Sequence, residues 1–282
     1  MRRASDLAAA ALMHASARFT VRYGADLRFA GRDLPRPRRV RATTRYGTVP
    51  VRVYGELGSP TYVHSHGGAW LMRHPGMDDF WCRYVAARAG VSVVNVDFRA
   101  APYVTYPVAQ HEVHDAAAWV AGHGAPVAVG GFSSGGGLAA AACLQARDRG
   151  SFEPVLQVLG VPALDLASPV DPDVPGMVSP SLRGLVRRVY FPDPTTRAAA
   201  YASPVLAPDL SRLPPAVVLT AERDALRADG LRYVERLRAA GTDVVHDETP
   251  GADHYFLTAD LDRARTTMAL AAVEIARRLH AP

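Results

Sequence analysis

The sequence contains no lysine, so all 32 of its basic side chains belong to arginine. The formal net charge is +5 at pH 7, a surplus that could suggest a nucleic-acid partner. Such a partner requires basic residues clustered on one face. The densest arginine cluster runs from Arg32 to Arg45 and is interrupted by Pro35 and Pro37. We therefore expect an extended, solvated connector there, and no nucleic-acid binding.

Cysteine is scarce and long apolar runs are absent. Cys82 and Cys143 are the only cysteines, and they share no CxxC or CxxxC spacing. Two isolated thiols cannot form a metal site by themselves, so we expect both to be reduced and buried. No apolar run approaches the roughly 18 residues that a membrane-spanning helix needs. An integral membrane protein is therefore not expected.

The N-terminus superficially imitates a secretory signal, because Arg2 and Arg3 precede an apolar stretch. Asp6 and His14 interrupt that stretch, which favours a helix of the mature protein and a cytoplasmic rather than a secreted protein. The predicted packed face of this helix contains Leu7, Leu12 and Phe19.

Strand and helix patterns alternate from Val49 onward, which predicts an α/β protein with a mostly parallel sheet covered on both faces. The predicted strands span residues 49–54, 61–66, 91–98, 127–129, 155–159, 216–220 and 244–245. The predicted helices span residues 77–88, 107–121, 138–146 and 182–190, followed by one ending near Gly241 and a last one carrying Met268, Ala272, Ile275 and Leu279.

The alternation breaks for about 35 residues after Asp165. Six prolines lie in that stretch, namely Pro169, Pro172, Pro175, Pro180, Pro192 and Pro194. An interruption of a doubly wound sheet is most simply an insertion over its carboxyl edge, where such folds bind ligands. We therefore divide the chain into residues 1–45 (helical segment and connector), residues 46–165 with 201–282 (main domain) and residues 166–200 (insertion).

One glycine-rich stretch combines a strand end with a possible nucleophile. Gly131, Ser133 and Gly135 match the pattern G-x-S-x-G, in which a serine occupies a sharp turn from strand to helix. The alternative is an ordinary glycine-rich turn. Nucleotide binding is not favoured, because G-x-G-x-x-G fails in every register and the phosphate-loop pattern lacks its lysine. Ser133 is therefore the candidate nucleophile, and no cofactor is predicted.

Acyl transfer also requires oxyanion donors before the serine, then an acid and then a histidine. The segment from His66 to Trp70 follows a predicted strand, and its small residues Gly67, Gly68 and Ala69 could turn backbone amides inward. Asp224 follows a later strand, and Glu222 and Asp229 are the less favoured carboxylates nearby. Among the ten histidines, His254 has the most suitable context, a small-residue loop before a helix.

These motifs resemble the hormone-sensitive-lipase-like family of α/β-hydrolases, over residues 64–256. Asp97-Phe-Arg-Ala-Ala-Pro102 is similar to the family's D-Y-R-L-A-P-E segment, and Val161-Pro-Ala-Leu-Asp165 is similar to the end of one of the family's strands. The stretch that begins at Tyr201 is similar to the family's segment after the lid. The resemblance implies an eight-stranded sheet, and a helical cap built from residues 1–45 and 166–200. It also implies that Ser133 is the nucleophile, His254 the base and Asp224 its orienting acid. The implied oxyanion hole consists of the amides of the Gly67–Ala69 segment and Ser134.

The chain departs from the family pattern at four positions. Ala69 replaces the third glycine of H-G-G-G, and Phe132 and Ser134 replace the usual aspartate and alanine of G-D-S-A-G. Tyr103 replaces the glutamate after Ala-Pro. If position 69 requires a positive φ, the alanine methyl costs about 1 kcal/mol or more. Phe132 removes a carboxylate from beside the nucleophile, which bears on substrate preference more than on the triad.

Several other side chains have two interpretations. The segment from His111 to Asp115 looks like a metal site, but its histidines are three residues apart, so we predict a solvated helix face and no metal. Candidate pocket walls are Trp70, Phe132 and Tyr255, with core packing as the alternative. Further candidates near the oxyanion segment, or else surface loop residues, are His64, His74, Asp78 and Asp79.

The sequence thus predicts a serine hydrolase that cleaves a carboxylic ester with a short acyl chain. The H-G-G-x-W form also resembles kynurenine formamidases, so an amide hydrolase is the first alternative. A catalytically silent ligand-binding α/β-hydrolase fold is the second. The expected partner is a small ester substrate, and the oligomeric state is open between a monomer and a homodimer.

Overall fold

A computed structural model describes residues 3–21, 24–170 and 176–281 of the chain. Its strands are β1 (Arg38–Thr44), β2 (Gly47–Tyr54), β3 (Thr61–Ser65), β4 (Ser92–Val96), β5 (Val127–Phe132), β6 (Pro154–Gly160), β7 (Ala216–Ala221) and β8 (Val244–Thr249). Its α-helices are α1 (Ala4–Thr20), α2 (Asp79–Ala89), α3 (Val108–Ala121), α4 (Ser134–Arg149), α5 (Pro180–Val189), α6 (Arg227–Ala239) and α7 (Leu261–Leu279). Short 3₁₀ helices occur at Pro75–Asp78, Pro194–Thr196, Pro204–Leu206 and Phe256–Thr258.

All eight strands form one sheet in the order β1-β2-β4-β3-β5-β6-β7-β8. The strand β2 pairs antiparallel with β1 and β4, and the remaining pairs are parallel. The predicted α/β fold with a mostly parallel eight-stranded sheet is therefore confirmed. Because the strands from β3 to β8 are parallel, their carboxyl ends meet at one edge of the sheet, where the candidate site residues follow.

Helices cover both faces of the sheet, as the apolar strands require. On one face α3, α4 and α6 bury residues such as Val113, Leu138 and Leu237. On the other face α2 and α7 pack against each other and bury Trp81 and Ile275. Full burial of a large apolar side chain contributes roughly 1.5–3 kcal/mol. None of the helices in the described ranges combines the length and the low polarity that crossing a bilayer needs.

The arginine-rich connector was predicted wrongly at its end. Residues 38–44 form the edge strand β1, which turns at Thr44 and Gly47 to pair with β2. Its alternation points Ala42 and Thr44 inward and leaves Arg41 exposed. A strand with one charged face meets solvent at a sheet edge, and the charges discourage pairing with another chain. The many charges and the two prolines of this segment indicated a connector, and they hid the alternation of a strand.

The N-terminal helix exists as predicted, but its predicted packed face was right only at Leu7, which packs against the core. Leu12 is 70% exposed and Phe19 is 62% exposed, whereas Ala10 and Ala17 are buried. The helix packs on α5, and Asp6 accepts hydrogen bonds from the Arg188 guanidinium of α5 at 2.8 and 3.0 Å. Small residues allow close helix contact, and Leu12 and Phe19 lie on the outer face of the helix.

Candidate active site

The serine of the G-x-S-x-G motif occupies the single residue between β5 and α4. Ser133 has φ +55° and ψ −120°, a sparsely populated region for a residue with a side chain. Backbone hydrogen bonds hold this geometry. Ser133 donates its N–H to Gly160 O at 2.8 Å, and its carbonyl accepts from Gly137 and Ala163 at 3.1 Å each. The turn therefore presents the Ser133 hydroxyl at the carboxyl edge of the sheet.

The two glycines of the motif are required by space. A Cβ on Gly135 would lie 2.0 Å from the carbonyl oxygen of Ser65 at the end of β3. A Cβ on Gly131 would lie 2.4 Å from the same oxygen and 2.5 Å from the Gly135 carbonyl carbon. Real Cβ atoms do not approach this closely, so only glycine lets the turn close against β3.

The structure brings Ser133, His254 and Asp224 into one hydrogen-bonded chain. His254 Nε2 lies 2.9 Å from Ser133 Oγ, and His254 Nδ1 lies 2.9 Å from Asp224 Oδ2. The other carboxylate oxygen of Asp224 accepts the Leu226 N–H at 3.0 Å. Both His254 and Asp224 are buried. A carboxylate on Nδ1 favours the tautomer with the proton there, which leaves Nε2 free to accept the serine proton.

The two less favoured carboxylates bond elsewhere. Glu222 accepts the Gly251 N–H at 2.6 Å. Asp229 accepts the N–H groups of Leu164 and Asp165 at 3.1 and 3.0 Å. Burial raises the pKa of Asp229 to about 6. Neither carboxylate forms a hydrogen bond with His254 in the described residues, so only Asp224 is positioned to orient it.

The segment after β3 has the backbone shape of an anion-binding turn. Gly68, Ala69 and Trp70 have φ of +112°, +56° and +55°. The N–H groups of Gly68, Ala69 and Ser134 have no acceptor among the described residues. Ala69 does adopt the positive φ at which its methyl costs about 1 kcal/mol.

Gly67 differs from the rest of its predicted group. Its N–H donates to Asp78 Oδ2 at 3.3 Å, so this amide is not free to meet an oxyanion. Including Gly67 among the donors was therefore wrong. Sequence alone places the three consecutive amides of residues 67–69 in one loop but does not show which of them already has an acceptor.

His66 fixes the loop and is not a base. Burial lowers its pKa to about 4, so the ring is neutral at pH 7. Its Nδ1–H donates to Gly67 O at 2.6 Å, and the ring stacks on Phe98 with centroids 4.3 Å apart. The ring therefore holds the loop in place between β3 and the cavity.

Ser133 and His254 face a cavity of about 150 Å³ under α5. All three predicted wall residues, Trp70, Phe132 and Tyr255, line it. Trp70 and Phe132 are also buried in the core, whereas Tyr255 is 39% exposed. Further apolar wall residues on or near α5 are Val178, Leu182 and Val186.

Phe132, the departure beside the nucleophile, belongs to an aromatic cluster. Its ring centroid lies 4.9 Å from Trp81, 5.6 Å from His64 and 6.4 Å from Phe256, each in an edge-on arrangement. A carboxylate among these rings would lack a partner. The phenylalanine therefore fits its surroundings, and a carboxylate is instead supplied nearby by Asp78, the hydrogen-bond partner of His64.

A second serine–histidine–aspartate chain lies elsewhere on the surface. His114 Nε2 is 2.8 Å from Ser151 Oγ, and His114 Nδ1 is 2.8 Å from Asp115 Oδ1. Arg45 also binds that aspartate, and Ser151 is exposed in the loop after α4. It lacks the strained turn and the adjacent free amides of Ser133. It is thus a useful control for the candidate site.

The predicted solvated face around His111 was wrong in part. Glu112 and His114 are buried, and Glu112 accepts hydrogen bonds from the Arg99 N–H and guanidinium. Within the part of the chain that the structure describes, no group of three or more suitable side chains could hold a metal ion. The segment packs α3 against its neighbours.

Comparison with known proteins adds to this geometry. The profile of a family described as alpha/beta hydrolase fold matches residues 62–258. The chain belongs to that family. The carboxylic ester hydrolase LipN of Mycobacterium tuberculosis is 34% identical over 70% of this chain, which spans 58% of LipN's length. An arylesterase of Saccharolobus solfataricus is 30% identical over 80% of this chain and 78% of its own length.

A solved structure supports the same relationship. The hyperthermophilic esterase of the archaeon Pyrobaculum calidifontis superimposes with a TM-score of 0.82 at 31% identity, covering 97% of this chain and 92% of that one. The predicted resemblance to the hormone-sensitive-lipase-like α/β-hydrolases is therefore confirmed.

Proposed function

We propose that this chain hydrolyses carboxylic esters with short acyl groups through an acyl-enzyme on Ser133. The chain is a carboxylic ester hydrolase, the class to which LipN and the arylesterase belong by name. The hydrogen-bonded chain from Asp224 through His254 to Ser133, open to the cavity, carries the proposed mechanism. Free amides of Gly68, Ala69 and Ser134 support the oxyanion hole.

In this mechanism His254 Nε2 accepts the Ser133 proton while Oγ attacks the ester carbonyl. Asp224 stabilises the resulting imidazolium, and the three amides meet the developing oxyanion. His254 then gives the proton to the leaving alcohol. A water molecule, deprotonated by His254, attacks the acyl-enzyme carbonyl, the bond to Ser133 Oγ breaks, and His254 returns the proton to Ser133 as the acid leaves. Removing one oxyanion donor typically costs about 2.7–4 kcal/mol of transition-state stabilisation.

The size of the cavity supports the preference for short acyl chains. Its volume of about 150 Å³ equals that of an engineered apolar cavity that holds benzene. The insertion helix α5 supplies much of its wall, in keeping with a proposed cap formed by residues 166–200 and by the part of residues 1–45 that precedes β1. We expect kcat/KM to fall as the acyl chain outgrows this space.

The deciding experiment compares Ser133→Ala with Ser151→Ala on p-nitrophenyl acetate, butyrate and octanoate and on an N-formyl amide. We expect Ser133→Ala to lose at least about 10³-fold in kcat. Ser151→Ala should keep full activity, because Ser151 lies in an exposed loop and does not line the cavity that Ser133 and His254 face. A fluorophosphonate should label wild type and Ser151→Ala, but not Ser133→Ala. Retained activity in folded Ser133→Ala would refute the mechanism, and faster amide than ester cleavage would favour the formamidase alternative.

We also propose that the protein is cytoplasmic and is either a monomer or a homodimer. Cys82 and Cys143 are both free and buried, which suits the proposed reducing cytoplasm. Light scattering on the protein as it elutes from a size-exclusion column would distinguish a monomer from a homodimer.

A further inference from the structure

Four charged side chains besides His254 line the cavity: Asp78, Asp165, Arg183 and Arg187. Three of them have partners. Asp78 bonds to His64, Asp165 accepts from Ser168 Oγ at 2.7 Å, and Arg187 donates to the Ser168 carbonyl. Arg183 is different, because its guanidinium makes no hydrogen bond or ion pair with any residue that the structure describes.

The position of Arg183 does not favour an unpaired cation on structural grounds. It lies in the first turns of α5, where the helix dipole disfavours positive charge. Arg187 follows one turn later on the same helix, and its charge and that of Arg183 repel each other. The side chain is half-buried, so its charge is partly removed from water. An arginine in this setting gains little from folding, which points to a ligand.

Asp229 is the carboxylate that could alternatively serve as the ionic partner of Arg183. Its charge attracts the Arg183 guanidinium, but no hydrogen bond joins the two. Asp229 is buried and already accepts two backbone N–H groups, from Leu164 and Asp165. Its demand for partners is therefore largely met, and the five N–H donors of Arg183 have no acceptor among the residues that the structure describes.

We propose that Arg183 binds a carboxylate of the substrate, so that the preferred ester carries a negative charge a few carbons from the ester bond. This inference rests on the proposed function. The planar guanidinium can donate two parallel hydrogen bonds to one carboxylate, and a neutral substrate offers no such charged pair of acceptors. Leu182 and Val186, neighbours of Arg183 on α5, line the same cavity and offer an apolar surface to the carbons between the ester and the carboxylate. The substrate class is a short ester of a dicarboxylic acid or of a hydroxy acid.

Two matched substrate pairs test the proposal and separate the two sources of the carboxylate. Mono-p-nitrophenyl glutarate and its terminal amide, p-nitrophenyl glutaramate, place the charge on the acyl side. The pair 4-acetoxybutyrate and 4-acetoxybutyramide places it on the alcohol side. The readout is the ratio of kcat/KM for the carboxylate over the amide. Wild type, Arg183→Met, Arg183→Lys and the control Arg39→Met are compared, with Ser133→Ala measuring spontaneous hydrolysis.

We expect wild type to favour the carboxylate in one pair, and Arg183→Met to lower that ratio by roughly ten- to a hundredfold. Arg183→Lys should retain part of the preference, because lysine keeps the positive charge but not the planar pair of N–H donors. Arg39 is exposed on the edge strand β1, so Arg39→Met should keep the ratio. The control Arg39→Met should hydrolyse the amide substrates as wild type does, and Arg183→Met should lose more activity on the carboxylate than on its amide.

An unchanged ratio in both pairs would overturn the proposal, as would an equal loss on carboxylate and amide in Arg183→Met. The latter result, with a lowered melting temperature, would mean that Arg183 serves the fold by balancing Asp229. Failure of wild type on every ester, including p-nitrophenyl acetate, would instead refute the proposed function. The two failures are thus distinguishable.

Discussion

His64 Nε2 lies 2.9 Å from Asp78 Oδ2, and both side chains are buried next to the proposed oxyanion segment. The Asp78 carboxylate accepts from His64 Nε2–H, so Nδ1 of the neutral ring accepts from the Tyr62 hydroxyl, 3.2 Å away. The same carboxylate oxygen accepts the Gly67 N–H at 3.3 Å. A buried network in the sheet therefore holds the loop whose amides are proposed to meet the oxyanion.

We expect Asp78→Asn to lower kcat about tenfold or more with a small change in KM. A neutral amide oxygen holds the Gly67 N–H and His64 less tightly than the carboxylate does, and a looser loop misplaces the oxyanion amides. Asp79→Asn is the matched control. It removes the same charge one residue away, where the carboxylate bonds Arg83 and Tyr54 and does not line the cavity. Steady-state kinetics on p-nitrophenyl acetate checks both variants. Equal kcat values for the two would show that Asp78 does not position the loop.

Gly135→Ala should abolish activity and destabilise the fold by roughly 1–3 kcal/mol, because its Cβ would overlap the Ser65 carbonyl at 2.0 Å. Gly241→Ala provides the control. Gly241 has φ +81° with no atom within 4 Å of a built Cβ, so alanine there costs only the backbone strain, about 1 kcal/mol. Urea unfolding and esterase assays on both variants separate steric overlap from strain. An active Gly135→Ala would contradict the proposed packing of the turn.

Phe132→Asp restores the family's usual carboxylate but should cost at least about 3 kcal/mol, since the charge would lie unpaired among aromatic rings. Phe132→Leu keeps the site apolar and should cost about 1 kcal/mol. Thermal unfolding monitored by circular dichroism measures both. A stable, active Phe132→Asp would show that the cluster around His64 and Trp81 can reorganise.

Asp229 predicts a pH dependence of stability. Its folded pKa is raised to about 6, above the usual value near 4, so the folded state holds its proton more tightly than the unfolded chain. The resulting stabilisation is complete below about pH 4 and is lost as the pH rises through about 6. Asp229→Asn keeps an oxygen for the Leu164 and Asp165 amides and lacks this titration.

We therefore expect wild type to lose stability relative to Asp229→Asn between about pH 4 and pH 6, and to keep a constant difference above that. Urea unfolding of both proteins at half-unit intervals of pH measures the difference. A difference that does not change across this window would contradict the raised pKa.

The order of elements and the identity of the central serine were predictable from the sequence. Val63, Val94 and Val129 lie in apolar strand segments bounded by turns, and these patterns identify buried parallel strands without any long-range information. The glycines at 131 and 135 indicated a turn that excludes side chains, and a Cβ at either position would overlap β3. Membership of the hydrolase family followed from motifs whose order along the chain is itself specific.

Other features depend on contacts between residues far apart in sequence. The edge strand β1 was missed because its arginines resemble a connector until Ala42 and Thr44 are seen to face inward. Leu12 and Phe19 looked like a packed face, whereas the contact of α1 with α5 selects small residues.

By itself, the sequence determined the α/β fold, the hydrolase family and the candidate nucleophile, because local periodicity and steric demands at glycine are written in neighbouring residues. Only the tertiary structure decided which amides are free, that Asp78 reaches Gly67 and that Arg183 lines the cavity without a partner among the described residues. Hydrogen bonds between residues distant in the chain are determined by how the helices and loops pack, and a linear pattern does not encode their geometry.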